Sequence, residues 1–176
     1  MKLSEIKKHL STAEPVIRKL EASDYNRVAE IYLQGIATGF ATFQHEATDW
    51  ETWDNSHLKE CRLGAFEGNE LAGWAALTPV SGRCVYAGVA EVSIYIAENF
   101  RGKGLGKLLL LKLIEESEAA GLWTLQSGIF PENTASIKLH EQCGFRVIGY
   151  REKIGKKDGI WKDNIIMERR SKVVGI

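Results

Sequence analysis

The chain has 176 residues, with 23 Lys plus Arg against 23 Asp plus Glu, and Cys61, Cys84 and Cys143 stand far apart without CxxC spacing. The length suits one self-supporting core. The charge balance offers no overall field to steer nucleic acid, and the cysteines argue against a disulfide framework or a zinc site. Residues 1–14 mix charge with isolated apolar side chains, unlike a secretory signal, and no apolar run approaches membrane-spanning length. A single cytoplasmic domain over 1–176 is expected, with 1–14 as a short helix or leader.

In chain order, Val16 to Leu20 alternate as a first strand. Ser23 is the predicted cap of a helix through Ile36, with Val28, Ile31, Tyr32 and Gly35 on one stripe. Polar Thr clusters make TGFATFQHEATDW a loop, after which Thr48 or Asp49 caps a helix carrying Trp50, Trp53, His57 and Leu58. Gly64–Phe66 and Leu71–Leu77 read as a hairpin across Glu67–Glu70, and Pro79–Arg83 interrupts the pattern. A strand then begins at Glu91, with Val92 to Ile96 alternating. The turn RGKGLG follows, then an apolar helix from Leu105 to Ile114 with Gly121 just past its end. A buried strand at Trp123–Phe130 and a short helix at Glu132–Cys143 come next. Strands near Phe145–Lys153 and Trp161–Glu168 close the chain around a Lys/Gly-rich loop. Runs of strand and helix in this order predict an α/β fold with a mixed sheet.

Gly102, Gly104 and Gly106 alternate with Arg101, Lys103 and Leu105 between the strand and the helix. Glycines let backbone approach a ligand closely and tolerate positive φ. The helix start offers unpaired N–H groups and the positive dipole end, and Arg101 and Lys103 add charge. Such a turn reads as a pyrophosphate cradle. The P-loop pattern fails, since Arg101 stands where its first Gly belongs and Leu108 where Ser or Thr belongs. The dinucleotide fingerprint fails at its third Gly, which would fall on Lys107.

The Arg-Gly-x-Gly-x-Gly turn resembles the signature of the GNAT superfamily of acetyl-CoA-dependent N-acetyltransferases. A second segment, NTASIKLHEQCGF from Asn133 to Phe145, resembles that superfamily's Asn-x-x-[Ala/Ser]-x-x-Leu-Tyr-x-x-x-Gly-Phe pattern, with His140 in place of Tyr. With Glu91 heading the strand, with Ala41-Thr42-Phe43, Gly73-Trp74-Ala75 and Gly159-x-Trp161-x-Asp163, the chain is similar to phosphinothricin N-acetyltransferases and relatives acting on methionine sulfoximine or arsinothricin. The likeness runs from about Val16 to Arg169. It implies the GNAT fold, a mixed, mostly antiparallel sheet with helices on both faces, splayed at the acetyl-CoA strand. It further implies acetyl-CoA as co-substrate, a small-molecule amine acceptor, and a homodimer without nucleic-acid or membrane partners. By the same likeness Ile94, Tyr95 and Ile96 meet the pantetheine arm, residues 101–107 the pyrophosphate, and Asn133 and Ser136 the cofactor from the next helix. One departure stands out: Ala87 replaces an Arg that many phosphinothricin enzymes carry near the substrate. Arg83 is the candidate replacement.

Acetyl transfer to an α-ammonium group requires a base, and Glu91 is the expected one. A backbone N–H near Ile94 or Tyr95 suits the developing oxyanion. His140 lies one turn from Ser136, and is expected either to protonate the leaving thiolate or to act as the base itself. Phe43, Arg83 and Tyr86 are expected to wall the acceptor site. Cys84 or Cys143 as an acetylated nucleophile lacks a sequence-local base, and His45, His57, Glu46 and Asp49 lack metal-ligand spacing, so direct transfer without metal is expected. Lys153–Lys157 reads as an exposed basic loop within reach of a 3′-phosphate. Polyamine or protein N-terminal acetylation, or CoA sensing without turnover, are the alternatives.

Overall fold

In the computed structural model, which describes residues 14–176, a seven-stranded sheet runs in the order β1-β2-β3-β4-β5-β7-β6. Its strands are β1 (Val16–Lys19), β2 (Leu63–Glu67), β3 (Glu70–Pro79), β4 (Val89–Ile96), β5 (Thr124–Ile129), β6 (Arg146–Lys157) and β7 (Ile160–Arg170). The helices are α1 (Tyr25–Ala37), α2 (Trp50–Ser56), α3 (Leu105–Ala119) and α4 (Thr134–Gln142). Every neighbouring pair is antiparallel except β4 with β5. The fold class is therefore as expected. The leader, apart from Glu14, lies outside the described residues.

Side chains alternate faces along a strand, so β4 separates the helices. Tyr95 meets Gly35 of α1, whereas Ile96 meets Gly106 of α3. On α3, Leu105, Leu109, Leu110, Leu113, Ile114 and Ser117 form the buried stripe, and the helix packs across β2, β3 and β4. Burying a leucine contributes about 1.5–3 kcal/mol. Among the described residues no helix is long and apolar enough to cross a membrane.

Several local expectations shift. Ser23 falls inside a 3-10 turn at Ala22–Asp24 and α1 starts at Tyr25, because Glu21 and Asp24 form the capping box instead. Asp49 rather than Thr48 caps α2, accepting from the Thr52 N–H at 2.8 Å. The basic loop does not exist as such: β6 runs on to Lys157 and turns at Asp158-Gly159, both at positive φ. Lys157 is buried, and its ammonium donates to the Gln44 carbonyl at 2.9 Å.

The sheet opens at one place. β4 and β5 pair only at Val89–Thr124, Ala90–Leu125 and Glu91–Gln126. Beyond Glu91 the strands part: β3 keeps β4 paired to Ile96 on one side, while β7 keeps β5 paired to Ile129 on the other. The splay is thus held open from both flanks, and Val92 to Ile96 have no strand partner toward β5.

Candidate active site

The splay is the floor of a cleft of about 1340 Å³, above the usual size of a single-ligand pocket and suited to two substrates. At one end lies the Gly-rich turn. Gly102 and Gly104 adopt φ of 76° and 80°, a region that costs any residue with a Cβ about 1–2 kcal/mol. Gly104 caps α3, so the N–H groups of Leu105, Gly106 and Lys107 have no intrahelical acceptor. Arg101 is drawn back over the turn, its Nε donating to the Ile96 carbonyl at 3.1 Å. A strand with one open edge leading into a ring of unpaired amides fits an extended thiol arm ending in a diphosphate. Ile94, Tyr95, Ile96, Arg101, Gly102, Gly104, Leu105, Gly106 and Lys107 all line the cleft; Lys103 does not, and its ammonium sits 5.0 Å from the Phe100 ring centroid.

From α4 come Asn133, Ser136 and His140. Asn133 is the N-cap rather than a first-turn residue. Its Oδ1 accepts from the Ser136 N–H at 3.2 Å, which leaves its amide N–H donors for a ligand. His140 is 1% exposed and packs edge-on against Phe145, ring centroids 4.9 Å apart. Its Nδ1 lies 2.8 Å from the Ser136 carbonyl. A carbonyl only accepts, so Nδ1 carries the proton and Nε2 a lone pair; that Nε2 is buried without a partner. Burial lowers the His140 pKa from 6.5, against the opposing pull of the Ser136 carbonyl, so the ring is neutral at pH 7. In this state His140 can accept at Nε2 but has no proton there to give.

Glu91 is the last β4 residue paired to β5, at the fork itself. Its side chain reaches solvent through the cleft, yet the surrounding protein withholds enough water to push its pKa above 4.5; Arg151 pulls the other way. Ser93 and Tyr95 share its face of the strand. The Tyr95 ring stacks on Trp74, centroids 5.1 Å apart, and meets Tyr32 edge-on at 4.9 Å. Burial pushes the Tyr95 phenol well above its usual pKa of 10.0, so it stays protonated.

Phe43 closes this end. Its loop, Thr38–Asp49, crosses from α1 to the β6–β7 hairpin, held by the Lys157–Gln44 bond. The Phe43 ring meets Phe130 edge-on at 4.6 Å and lies over Gly155, where a Cβ would come within 2.9 Å of it. Arg83 and Tyr86, expected beside Phe43, are elsewhere. They sit on an exposed turn between β3 and β4, with the guanidinium 5.5 Å from the tyrosine ring centroid, and neither lines the cleft. The cation on this wall is Arg151 of β6, which no sequence motif marks, alongside Gln126 and Asn164. The alternation leading from Gly149 to Arg151 was its only signal, and a charge-rich strand hides it. The cysteines do not line the cleft, and burial raises the Cys143 pKa. No group of three His, Cys, Asp or Glu among the described residues could hold a metal.

Comparison with known proteins agrees with this geometry. The acetyltransferase (GNAT) family profile matches residues 22–145. Phosphinothricin N-acetyltransferase of Alcaligenes faecalis is 31% identical over 163 residues, 87% of this chain and 81% of that protein. The L-amino acid N-acyltransferase MnaT of Escherichia coli is 30% identical over 166 residues, covering 86% of this chain and 91% of its own. Among solved structures, a GNAT superfamily phosphinothricin acetyltransferase from Sinorhizobium meliloti in complex with AcCoA superposes with a TM-score of 0.82 at 26% identity, covering 93% and 91% of the two chains. The chain belongs to the GNAT acetyltransferase family. It is an acetyl-CoA-dependent N-acetyltransferase, similar to the phosphinothricin and amino-acid acetyltransferases, with acetyl-CoA as its co-substrate.

Proposed function

We propose that this enzyme acetylates the α-amino group of a small L-amino-acid-like acceptor, such as phosphinothricin, methionine sulfoximine or a relative, by direct transfer in a ternary complex. The observation that carries the reading is Glu91: a carboxylate with a raised pKa at the fork of the sheet, facing a roofed cleft. Acetyl-CoA supplies an acetyl carbon activated as a thioester, with a thiolate as leaving group. Glu91 removes the proton that the acceptor ammonium must lose before its nitrogen can attack. The open edge of β4 offers backbone N–H groups to the carbonyl oxygen as it gains charge. The turn from Arg101 to Lys107, with Asn133 and Ser136, holds the cofactor, and Phe43 walls the acceptor. His140 serves through its Nε2 lone pair as a hydrogen-bond or proton acceptor.

The lining supports a small zwitterion over the alternatives. Glu46 and Glu91 face Arg101, Lys107, Lys138 and Arg151 in the cleft, too cationic a balance for a polyamine. The strap pinned by Lys157 covers the acceptor end, which suits a free amino acid better than a protein N-terminus. The absence of cysteine from the lining favours direct transfer over an acetyl-enzyme. A cytoplasmic location belongs to the same proposal, since acetyl-CoA is available there. The functional species in this proposal is a homodimer, since edge strand β6 and the start of β7 expose Val147, Ile148, Tyr150, Ile154, Ile160 and Trp161.

The test is CoA release measured with L-methionine sulfoximine, phosphinothricin, a panel of common L-amino acids, spermidine and an N-terminal peptide. Turnover confined to free amino acids supports the reading. Preference for spermidine or the peptide overturns it, as does burst acetylation of the enzyme before acceptor is added.

A further inference from the structure

The acceptor site lacks the arginine expected near Ala87, and Arg83 does not replace it. A zwitterionic acceptor still brings a carboxylate into a cleft whose base is itself anionic. Without a cation close by, that carboxylate would be repelled by Glu91. β6 supplies one.

Arg151 pairs across strands with Asn164 of β7, and directly opposed residues share a face of the sheet. Both line the cleft, as does Ile166, opposite Gly149 on the same face. The register breaks just beyond: from Arg151 to Gly155 β6 advances four residues while β7 advances two, from Asn164 to Lys162. Lys153 lies in this bulge at φ 48°, costly for a residue with a Cβ. Asp163 holds the bulge from the other strand, accepting from the Lys153 N–H at 2.7 Å and from the Tyr150 hydroxyl. A bulge re-aims the side chains beside it, and here Arg151 is the neighbour facing the cleft.

Among the described residues the Arg151 guanidinium makes no hydrogen bond and no ion pair within 4.0 Å. Its charge is nevertheless felt at Glu91. The two groups therefore face the same space without closing on each other. The other cations of the cleft sit toward the cradle: Arg101 is tied to the Ile96 carbonyl, and Lys107 and Lys138 project from α3 and α4. An ammonium against Glu91 and a carboxylate against Arg151 would fill the gap between them with matched charge. A guanidinium does this with two parallel N–H donors.

We propose that Arg151 is the specificity-determining residue that binds the acceptor's carboxylate, with Asp163 positioning it through the β6 bulge. The proposal rests on the small amino-acid reading above and narrows it to acceptors carrying a free carboxylate beside the amine.

Steady-state kinetics with L-methionine sulfone and with its carboxamide, at saturating acetyl-CoA, test it on wild type, Arg151→Gln, Arg151→Lys and Asp163→Asn. Wild type should prefer the acid. Arg151→Gln should raise KM for the acid about 10- to 100-fold, the range of a lost hydrogen bond between charged groups. It should leave KM for the carboxamide and for acetyl-CoA within about twofold, and Arg151→Lys should recover part of the loss. Asp163→Asn should move the acid's KM the same way by less. Equal loss for acid and carboxamide, or none for the acid, overturns the role of Arg151. So does a wild type that uses both equally well, while leaving the amino-acid reading intact. If wild type turns over neither compound nor any L-amino acid, the functional reading itself has failed and this inference falls with it.

Discussion

At the scale of single residues, the proposed mechanism gives Glu91 and His140 different parts because their environments differ. As the proposed base, Glu91 must be ionised to accept a proton, and desolvation raises its pKa from 4.5, so activity should rise with pH through a limb displaced upward from an ordinary carboxylate. Replacing it with Gln should lower kcat about 10²–10⁴-fold and abolish that limb, with KM for acetyl-CoA unchanged. A pH series of kcat/KM on both proteins reads this; equal activity would remove Glu91 from the mechanism. His140 has a separate consequence for stability. Its folded pKa is depressed below 6.5, so beneath that value the unfolded chain binds more protons than the native one. Stability is complete above pH 6.5 and falls as acid drives the pH below it. His57, also lowered by burial, contributes to the same fall. Urea melts from neutral to mildly acidic pH should show a shallower loss for His140→Gln, and an unchanged slope would contradict a neutral buried imidazole.

Among the elements, the turn before α3 and the strap carrying Phe43 do different things. Gly104 ends the turn at φ 80° and starts the helix. Gly104→Val strains that backbone by about 1–2 kcal/mol and turns the amides away, so the acetyl-CoA Kd should rise about tenfold or more. Titration calorimetry checks this, and CD confirms that α3 persists. The strap depends on contacts of another kind. Lys157 and Gln44 are 113 positions apart, and Phe43 fits over β6 only because position 155 has no side chain. A buried ammonium and a glycine in a strand look, in one dimension, like a solvated charge run and a loop.

For the whole molecule, the unpaired β6 edge is the feature that a monomer leaves unexplained. Val147 and Ile148 are 50% and 43% exposed on an edge strand, where apolar side chains invite pairing with another chain. Light scattering should give a dimer mass for wild type. Val147→Glu with Ile148→Glu should give a monomer of unchanged thermal stability, because neither side chain belongs to the core. A monomeric wild type would remove the dimer from the proposal.

Chemistry that depends on residues close in the chain could be read in one dimension. The cradle from Arg101 to Lys107, the run from Asn133 to His140 and the alternation of β4 are each local, because a turn, a helix face and a strand face are set by spacing alone. Through the family resemblance they carry came the fold class and the cofactor. What lies across the cleft from Glu91 was decided by tertiary structure. The pairing of β5 with β7 opens the sheet beside β4, the β6–β7 register brings Arg151 to the cleft wall, and the Ser136 carbonyl selects the tautomer of His140. Such facts depend on register and on burial, and neither exists until distant strands have paired.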